Sequence, residues 1–465
     1  STCQRFFDEA ARTPDIPTYR GDLHMHAVGC YSVMRPVKSA VRRAEHALEL
    51  GGRALRLTGK SARRLDACWK PVLFNEFHDI LPGSCAPRAA AEAVEEVGGV
   101  LSTCREVTYA ALKALSLAQP PPPRRVELRV FNTLPYPITR PIAIENCGFF
   151  REQATFRDGA GRPIPLQKVL ESVRCGNARW EFVDTLPARG FKAYWFDEQT
   201  PQTAPPPEAA HFQPGTEVAL PPYRIGRDGT IVRTDPAGSS ATALLDAAPQ
   251  FLVLADASDT WGHDVRVYDQ VADRFSLVAT AVLTGAVTVK LYQRWTCGRS
   301  QLDVIYSLFA SRPEVYLDIA VNWAEERRIL KLELTPADAG APTFTMQGPG
   351  GPIVRAADGA EMPLHHWVWL PTHPPAGGLA VLQDGAFACD CRQGRLRLTL
   401  VRSSYYSWHA PVRLHPADPQ NHTDQGLHHF RLALLPLAKG DPAALDRAAD
   451  AFLEPCLVVH ESRSR

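Results

Sequence analysis

The chain changes its pattern of apolar residues within the stretch Ala118-Gln119-Pro120-Pro121-Pro122-Pro123-Arg124-Arg125-Val126-Glu127-Leu128-Arg129-Val130. Four consecutive prolines cannot continue a helix and favour an extended segment, so we expect a Pro-rich linker at 119–125. Apolar residues recur every three or four positions before this linker and every second position after it. These two periods predict helices on one side of the linker and strands on the other.

Residues 29–118 carry three helical patterns, which predict a three-helix bundle. In the second pattern, at 65–73, Pro71 should start or kink the helix. The third pattern, at 86–118, contains Gly98-Gly99, which weakens a helix by about 1 kcal/mol per Gly relative to Ala. The first pattern places four apolar residues on one helical face: Val37, Val41, Ala44 and Leu48.

Residues 126–465 alternate between apolar and polar side chains in short runs such as Val315–Trp323. Asp-Gly pairs, which favour the tight turns of β-hairpins, recur between the runs, for example at Asp158-Gly159 and Asp384-Gly385. Helical periodicity returns only at Pro442–Phe452. We therefore predict that this region is a large all-β domain of sandwich type.

The composition is that of a globular protein that binds neither nucleic acid nor a membrane. Among 465 residues, 45% are hydrophobic and 22% are charged, which fits two or three domains with a large core. The 51 Lys and Arg balance the 50 Asp and Glu, so no global field attracts nucleic acid or an anionic membrane, and a neutral substrate is favoured. No apolar run approaches the ~18 residues of a membrane span.

The cysteines and the first residues indicate a reducing compartment and a chain that begins within a longer product. Eleven Cys without a CxxC spacing fit reduced thiols better than disulfides, so we expect a cytoplasmic protein. Ser1–Arg5 does not begin with Met and leads into no signal peptide. We expect residues 1–28 to be the tail of a preceding domain together with a linker.

The segment Trp69–Ser84 combines an apolar helix face with the adjacent pair His78-Asp79 and a Pro-Gly turn. A neutral imidazole suits zinc, and a neighbouring carboxylate can orient it or accept a bond from substrate. One His alone cannot hold a metal ion, which needs three or four ligands. A helix-end cap or a satisfied polar pair is the alternative interpretation.

Two histidines precede the first predicted helix. His24 and His26 are two positions apart, so in an extended strand both side chains point to the same side and form half of a metal site. A solvent-facing loop is the alternative.

Two polar loops in the β region, Ser258–Asp264 and Asn421–Phe430, are candidates for sugar recognition. A carboxylate accepts bonds from hydroxyl groups, and an indole packs on the apolar face of a pyranose. Plain turns, one around a core Trp and one initiated by Asp, are the alternatives. The side chains that we expect to bind substrate are Asp259, Trp261, His263, Asp424 and His428.

These stretches resemble glycoside hydrolase family 38, a family of α-mannosidases. Trp69–Ser84 is similar to a tract of that family written approximately W-x-x-L-x-N-Q-F-H-D-x-x-P-G. Gly21–Glu45 resembles the start of its three-helix middle domain, and Arg129–Pro135 resembles the opening of its C-terminal sandwich. Further landmarks follow in the same order over roughly residues 20–455: Ser258–His263, Trp323–Glu325 with Leu330-Lys331, Leu400–Ser403 and Asp424–Phe430.

The resemblance implies a galactose-mutarotase-like sandwich and a retaining α-mannosidase that hydrolyses terminal α-D-mannosides in mannose catabolism or glycan breakdown. In that mechanism one carboxylate attacks the anomeric carbon, and a second, about 5 Å away, acts as acid and then as base. By position, His78 matches the family's metal-ligating histidine and Asp79 its neighbouring active-site aspartate, in a supporting role. The implied cofactor is Zn²⁺, and the implied substrate is a mannoside or a mannose-containing oligosaccharide.

The family's nucleophile and remaining metal ligands belong to an N-terminal α/β barrel, of which residues 1 to about 20 match at most the last segment. We therefore expect this chain alone to be inactive and the missing N-terminal catalytic domain to be its partner; homo-oligomerisation is left open. Glu76 stands where the family usually has Gln, which adds a negative charge near the metal.

A non-catalytic carbohydrate-binding β-sandwich module is the alternative function. A metal-dependent phosphoesterase built on His78-Asp79 is a third hypothesis, but no P-loop and no carboxylate cluster with metal spacing supports it. The first two hypotheses differ in whether a barrel with a His-x-Asp motif accompanies this chain.

Overall fold

The computed structural model describes residues 2–19, 24, 26–120, 126–146, 154–174, 177–201, 210–234, 241–263, 265–372, 377–406 and 422–462. Parts of the sequence motifs lie outside these residues, namely Gly21–Leu23, Met25, Pro121–Arg125, Asp264 and Asn421. Among the described helices, none combines the length and the apolar composition that a membrane span requires.

The described residues form a helical region followed by an all-β region, as the change of period at the linker predicts. Three long or medium helices fall between residues 35 and 117, and one further helix follows near the end of the chain. The helices are α1 Cys3–Ala10, α2 Arg35–Leu57, α3 Asp66–Asn75, α4 Pro87–Leu117 and α5 Pro442–Leu453, with 3₁₀ turns at Val28–Tyr31 and Ala62–Leu65.

Helices α2, α3 and α4 pack around one apolar core, in which Leu48, Val72 and Val97 are fully buried. Pro71 lies in the interior of α3, which begins at Asp66, so this proline does not start the helix. Gly98-Gly99 lies inside α4, which runs without interruption over 31 residues. Burial of one face of α4 therefore outweighs the low helix propensity of the two glycines.

The β region is built almost entirely from antiparallel pairs; among the described strands, the parallel pair joins the fourth and the seventh. The first strands are β1 Val126–Asn132, β2 Ile138–Asn146, β3 Ala154–Asp158, β4 Gln167–Arg174, β5 Asn177–Leu186, β6 Gly190–Pro201, β7 Ala210–His211, β8 Gln213–Pro214, β9 Val218–Leu220, β10 Tyr223–Ile225, β11 Ile231–Thr234, β12 Ala241–Ala243, β13 Gln250–Ala255 and β14 Val271–Arg274. The remaining strands are β15 Ser276–Leu283, β16 Thr288–Cys297, β17 Ser300–Phe309, β18 Val315–Trp323, β19 Arg328–Leu334, β20 Thr343–Gly348, β21 Gly351–Ala356, β22 Met362–Pro363, β23 Trp367–Pro371, β24 Gly378–Asp384, β25 Ala388–Arg392, β26 Arg395–Ser403, β27 Gly426–Leu437 and β28 Leu457–Ser462.

A large sandwich forms where a ten-stranded sheet packs on a six-stranded sheet. The ten-stranded sheet has the order β21-β20-β23-β24-β27-β18-β17-β16-β15-β8, and the six-stranded sheet has the order β14-β13-β19-β26-β25-β22. Residues at every second position, such as Leu317, Ile319 and Val321 of β18, enter the core between the sheets and meet Leu330 and Leu332 of β19. The short sheet β12-β11-β10-β9 packs onto the same core.

A second, smaller sandwich precedes the large one, so the predicted single sandwich is in fact two. The sheet β28-β1-β6-β3 packs on the sheet β2-β5-β4-β7 around a core that includes Phe156, Phe182 and Tyr194. Its edge strand β28 comes from the end of the chain and pairs with β1, from Val126↔Ser462 to Phe131↔Leu457. This pairing joins residues far apart in sequence, which alternation within each strand does not reveal.

Helix α2 contacts both sandwiches through arginine side chains. Arg42 donates to the carbonyl oxygens of Leu364 and Ala386 in the large sandwich, each at 3.0 Å. Arg53, three turns further on, donates to Thr133 Oγ1 at 2.9 Å and to Glu454 Oε2 at 2.8 Å, beside the small sandwich. The bundle is thereby fixed against both β units.

Candidate functional site

A cleft of about 730 Å³ lies where the helical bundle meets the large sandwich. Segments from distant parts of the chain contribute to its lining, among them Tyr31, Glu45, His78, Trp261 and His365. Of the residues that the sequence nominates for chemistry, His78 and Trp261 line this cleft together, although they are far apart in the sequence. The cleft is therefore the candidate functional site.

His78 and Asp79 lie in the turn that follows α3 and are accessible to solvent. The side chain of His78 is 78% exposed and that of Asp79 is 50% exposed, and His78 Nε2 lies 3.8 Å from Asp79 Oδ2. The ring of Phe77 packs beside the imidazole, with 4.1 Å between the ring centroids. Both polar groups of the pair are thus available to a ligand.

The turn that carries His78 is anchored to the start of α2. Lys38, which is buried, donates from Nζ to the carbonyl oxygens of Leu81 at 2.7 Å and Pro82 at 3.0 Å. Gly83 has a φ of +85°, and a Cβ at this position would lie 2.6 Å from Met34 Cβ. The Pro-Gly turn of the motif therefore requires glycine for both its backbone conformation and its close packing.

The loop that carries Trp261 is held by a fully buried arginine. Arg402 of β26 donates from Nη2 to Ser258 Oγ at 2.8 Å and from Nη1 to the carbonyl oxygen of Gly29 at 3.1 Å, and its Nε lies 2.9 Å from Asp256 Oδ2. Gly29 N donates to the carbonyl oxygen of Trp261 at 3.0 Å. Arg402 therefore joins the 258–262 loop to the 3₁₀ turn at Val28–Tyr31.

Aromatic rings of this loop form a short stack beside the cleft. The rings of Trp261 and His263 are stacked, with centroids 5.4 Å apart, and His263 meets the ring of His26 edge-on at 5.3 Å. Asp259 accepts at Oδ1 from the backbone N–H groups of Trp261 at 3.0 Å and Gly262 at 3.2 Å. Asp259 thus shapes the loop, while Trp261 presents its indole to the cleft.

Asp424 and His428 do not line the cleft, and the expectation that they bind substrate stays a prediction. Asp424 is buried and accepts at Oδ1 from the backbone N–H of Arg35 at 2.8 Å. His428 is 5% exposed; its Nε2 lies 2.8 Å from the carbonyl oxygen of Asp424, and its Nδ1 lies 3.4 Å from Arg35 Nη1. The start of α2 and the Arg35 side chain engage Asp424 Oδ1 and His428 Nδ1, whereas Asp424 Oδ2 has no hydrogen-bond partner among the described residues. These two residues join α2 to β27 and the turn before it.

Burial controls the charge of several cleft residues. It raises the pKa of Glu45 to about 7, with the neighbouring carboxylate of Glu76 as the next largest cause. It also lowers the pKa of His365 to about 4, helped by the charge of Arg42. Near neutral pH, His365 is therefore neutral, and Glu45 keeps its proton to a higher pH than an exposed glutamate does.

The described residues do not by themselves complete a zinc site. Within the part of the chain that the structure describes, no three His, Cys, Asp or Glu side chains come together to hold a metal ion. His78 offers one exposed ring nitrogen and Asp79 offers a carboxylate beside it, whereas a catalytic Zn²⁺ takes three protein ligands. His24 and His26 line the same cleft but form no such group with His78.

The sequence pointed to Lys38, Glu45 and Arg402 only as parts of the family resemblance and gave them no role. Lys38, Arg42 and Glu45 are spaced three or four positions apart, which is the spacing of a charged stripe along one helical face. That stripe is a signal in the sequence for a polar helix surface. Arg402 gives no such signal, since an isolated arginine in an alternating strand usually faces solvent.

The comparisons with known proteins match both regions of the chain. The family description "Alpha mannosidase middle domain" matches residues 25–115, and "Glycosyl hydrolases family 38 C-terminal domain" matches residues 225–419. Alpha-mannosidase 2C1 of Mus musculus is 24% identical over 462 residues, and that of Homo sapiens is 24% identical over 458. Each alignment covers 90% of this chain and 39% of the relative, so the chain spans well under half the length of these relatives.

Solved structures share the whole fold. A protein of glycosyl hydrolase family 38 from Enterococcus faecalis superimposes with a TM-score of 0.75 at 13% identity, over 100% of this chain and 63% of that one. An alpha-mannosidase from Enterococcus faecalis V583 superimposes with a TM-score of 0.74 at 13% identity, over 99% of this chain and 62% of that one. These structures show that the fold is shared, and the two family models together with the relatives show that the chain belongs to glycoside hydrolase family 38, with its middle domain at residues 25–115 and its C-terminal domain at residues 225–419.

Proposed function

We propose that this chain is the middle and C-terminal part of a retaining α-mannosidase that hydrolyses terminal α-D-mannosides in mannose catabolism or glycan breakdown. The observation that carries the proposal is the cleft, which brings the exposed imidazole of His78, beside Asp79, and the half-buried indole of Trp261 together at a domain junction. Sites of this kind, mainly apolar with a few convergent polar groups, are typical of substrate pockets. A galactose-mutarotase-like arrangement of the large sandwich is part of the same proposal.

In this proposal the loop of Trp261 binds the sugar. The indole packs on the apolar C–H face of the pyranose, and the stacked ring of His263 keeps the indole in place. Asp259 acts mainly by fixing the loop, because its Oδ1 is already occupied by two backbone N–H groups. Binding energy from these contacts orients the glycosidic bond toward the reacting groups.

His78 and Asp79 are proposed to act at the reacting end of the sugar. His78 would contribute one ligand to a Zn²⁺ site whose other ligands lie outside the described residues, and such a metal supplies electrostatic stabilisation of the substrate's oxygens. Asp79 supports this role by its position 3.8 Å from the imidazole. The nucleophile and the acid, which retaining enzymes hold about 5 Å apart, are likewise proposed to come from a further domain.

An exposed apolar surface on α3 and the turn after it supports the presence of such a domain. Leu73, Phe74 and Phe77 are 57%, 67% and 50% exposed, and they are adjacent in the fold to His78. Contiguous apolar surface of this kind usually marks an interface. We name Leu73, Phe74 and Phe77 the α3 patch, and we propose that it contacts the catalytic domain.

The test compares this chain alone with a longer product in which the chain follows the proposed catalytic domain, using p-nitrophenyl α-D-mannoside. We expect no turnover by the chain alone, and turnover by the longer product that falls by about 10²-fold or more in His78→Ala, since loss of outer groups around a metal already costs 10–100-fold. The matched control is His460→Ala, which changes an exposed histidine of β28 outside the cleft. Zinc content, measured by elemental analysis, should fall with His78→Ala and stay constant in the control.

The proposal places the nucleophile and the acid in a further domain. It would be contradicted if the isolated chain hydrolysed the substrate and His78→Ala abolished this turnover, because all catalytic groups would then lie in this chain. The alternative function, a carbohydrate-binding module without catalysis, predicts no turnover by the longer product and sugar binding that is indifferent to His78.

A further inference from the structure

A second cavity, of about 430 Å³, lies between the small sandwich and the outer face of the ten-stranded sheet. It shares none of its lining residues with the cleft. Strands β2 and β5 form one wall, strands β16, β17 and β18 form the other, and the connection from α5 to β28 closes one side.

The alternation of the strands explains why this cavity is polar. Lys290, Ser307 and Tyr316 face each other across three neighbouring strands, with the pairs Lys290↔Ser307 and Ser307↔Tyr316 in register. Their neighbours in sequence fill the core of the large sandwich, so these three side chains point outward to the junction. On the opposite wall, Glu181 of β5 lies between Trp180 and Phe182, which fill the core of the small sandwich.

Two oxygen atoms that line the cavity have no hydrogen-bond partner among the described residues. Glu181 is 1% exposed and Ser307 is 2% exposed, and the atoms without a partner there are Glu181 Oε2 and Ser307 Oγ. Buried acceptors without partners are rare in folded proteins, because burial removes the water that would otherwise bond to them. A ligand with hydrogen-bond donors would therefore satisfy Glu181 Oε2 and Ser307 Oγ.

The cations around the cavity are already engaged. Glu181 Oε1 lies 3.1 Å from Lys290 Nζ and 2.9 Å from Arg179 Nη2, and Arg431 Nη2 pairs with Asp384 Oδ2 at 2.8 Å. Arg140 donates to the carbonyl oxygens of Glu454 and Pro141. An anion would have to displace these bonds, so the lining favours a neutral ligand.

Aromatic side chains supply the apolar part of the lining. Phe309, Tyr316 and Phe452 line the cavity beside the polar floor. A ligand that fits both parts carries hydroxyl donors around a ring with apolar C–H faces, which is the chemistry of a pyranose. We propose that this cavity is a binding site for a neutral hexose-sized sugar, either free or at the end of a glycan, separate from the cleft.

Hydrogen bonds within the chain fix the two walls of the cavity to each other, so we expect the site to be preformed. Gln167 of β4 donates from Nε2 to the carbonyl oxygen of Thr288 at 3.0 Å, and its Oε1 accepts from the backbone N–H groups of Val287 at 3.0 Å and Thr288 at 2.9 Å. A preformed site avoids the entropic cost of ordering its walls on binding. The proposal does not rest on the proposed catalytic function.

The test measures binding of methyl α-D-mannopyranoside and methyl α-D-glucopyranoside to the full chain by calorimetry and saturation-transfer NMR. We expect saturable binding that Ser307→Ala weakens by about tenfold, the equivalent of one good hydrogen bond. Ala143→Phe, which places a ring in the cavity from β2, should abolish the binding. The matched control is Ser276→Ala, which makes the same change at an exposed serine of β15 that lines neither the cavity nor the cleft, and it should leave this binding unchanged.

A second readout uses a cysteine of the cavity wall. Cys456 and Cys3 are both exposed, but only Cys456 lines the cavity. Bound sugar should slow the alkylation of Cys456 by iodoacetamide and leave that of Cys3 unchanged, and in Ala143→Phe this protection should disappear. Three outcomes would overturn the proposal: no saturable sugar binding, binding that Trp261→Ala removes while Ala143→Phe keeps it, or equal protection of both cysteines.

Discussion

At the scale of single residues, Arg402 does most to define the candidate site. It is fully buried, and its guanidinium meets the carbonyl oxygens of Gly29 and Thr260, the hydroxyl of Ser258 and the carboxylate of Asp256. A buried charge of this kind is tolerated only when its partners surround it. The position of the Trp261 loop thus depends on one side chain from a different part of the chain.

We expect Arg402→Met to lower the free energy of unfolding by about 3–5 kcal/mol, because the carboxylate of Asp256 would remain buried without its partner. Urea denaturation followed by tryptophan fluorescence measures the change. Arg395→Met is the matched control, since Arg395 lies on the same strand but is exposed, and it should change the unfolding free energy by less than about 0.5 kcal/mol. An equal loss in both variants would contradict the role given to Arg402.

Folding raises the pKa of Asp424 and lowers the pKa of His428, so the two residues change the pH dependence of stability in opposite senses. Burial lowers the pKa of His428 to about 4, helped by Arg35, so the unfolded chain binds a proton below pH 6.5 that the folded chain refuses until about pH 4. This contribution reduces stability as the pH falls. Burial raises the pKa of Asp424 to about 7, so the folded chain keeps a proton that the unfolded chain has lost, and this contribution reduces stability as the pH rises from 4 to 7.

We expect Asp424→Asn and His428→Gln to change the pH dependence of unfolding in opposite senses between pH 6.5 and 4. In Asp424→Asn only the contribution of His428 remains, so stability should fall with acidification more steeply than in the wild type. In His428→Gln only the contribution of Asp424 remains, so stability should fall with acidification less steeply than in the wild type, or rise. Each slope should differ from the wild type by up to about 1.4 kcal/mol per pH unit, as measured by urea unfolding at intervals across this range. Parallel curves for all three proteins would refute the assignment.

At the scale of elements, two glycines lower the stability of helix α4. Gly98 and Gly99 lie in its interior, and a Cβ added at either position would meet no atom within 4 Å. We expect Gly98→Ala and Gly99→Ala each to stabilise the protein by about 0.5–1 kcal/mol, because alanine loses less conformational freedom in a helix than glycine. Differential scanning calorimetry gives the measurement.

Gly51→Ala in α2 is the control for these two variants. Its Cβ would lie 3.1 Å from Leu65 Cδ1, so the gain in helix propensity is offset by crowding, and we expect a smaller or negative change. A loss of stability in Gly98→Ala would show that these glycines have a function that their surroundings do not reveal.

The helices and most strands were predictable from periodicity, because the residues that fill a core recur at the spacing of the element that carries them. Leu48 of α2, and Val321 of β18, illustrate the two periods. The split into two sandwiches was not predictable, since β1 and β28 pair across most of the β region and each strand alone looks like any other. Pro71 was predicted to start or kink its helix; it does not start α3, which begins five residues earlier at Asp66, and the kink stays a prediction.

The candidate site was predictable only in part. His78 and Trp261 carry recognisable chemistry in their own sequence contexts, and both line the cleft. Asp424 and His428 have the same residue types, yet the first turn of α2 covers them, and only the tertiary contact of Arg35 shows this. Residue type indicates what a side chain can do, whereas its partners decide what remains available to a ligand.

At the scale of the whole molecule, the α3 patch leaves apolar surface in water. We expect the isolated chain to bind a hydrophobic dye such as ANS and to self-associate at high concentration, since contiguous exposed apolar surface is an interaction site. The double variant Phe74→Ser with Phe77→Ser should reduce both, as followed by dye fluorescence and sedimentation velocity. Tyr109→Ser is the control, because Tyr109 is 58% exposed on α4 away from the patch.

A wild-type chain that stays monomeric and binds no dye would contradict this interpretation of the α3 patch, as would an equal effect of Tyr109→Ser.

The pairing of β1 with β28 has a consequence for the growing polypeptide on the ribosome. Strand β1 is made before the large sandwich, but the strand that covers its edge, Leu457–Ser462, is made only after the whole large sandwich. At ~5–20 residues per second this interval lasts on the order of tens of seconds. During it, one edge of β1 is unpaired, and Phe131 of β1 and the helical bundle lack the contact that Val459 of β28 later makes with their core. An open strand edge is a template for pairing with other chains. During this interval we therefore expect the nascent chain to pair with other copies of itself unless chaperones cover the edge or the copies are dilute.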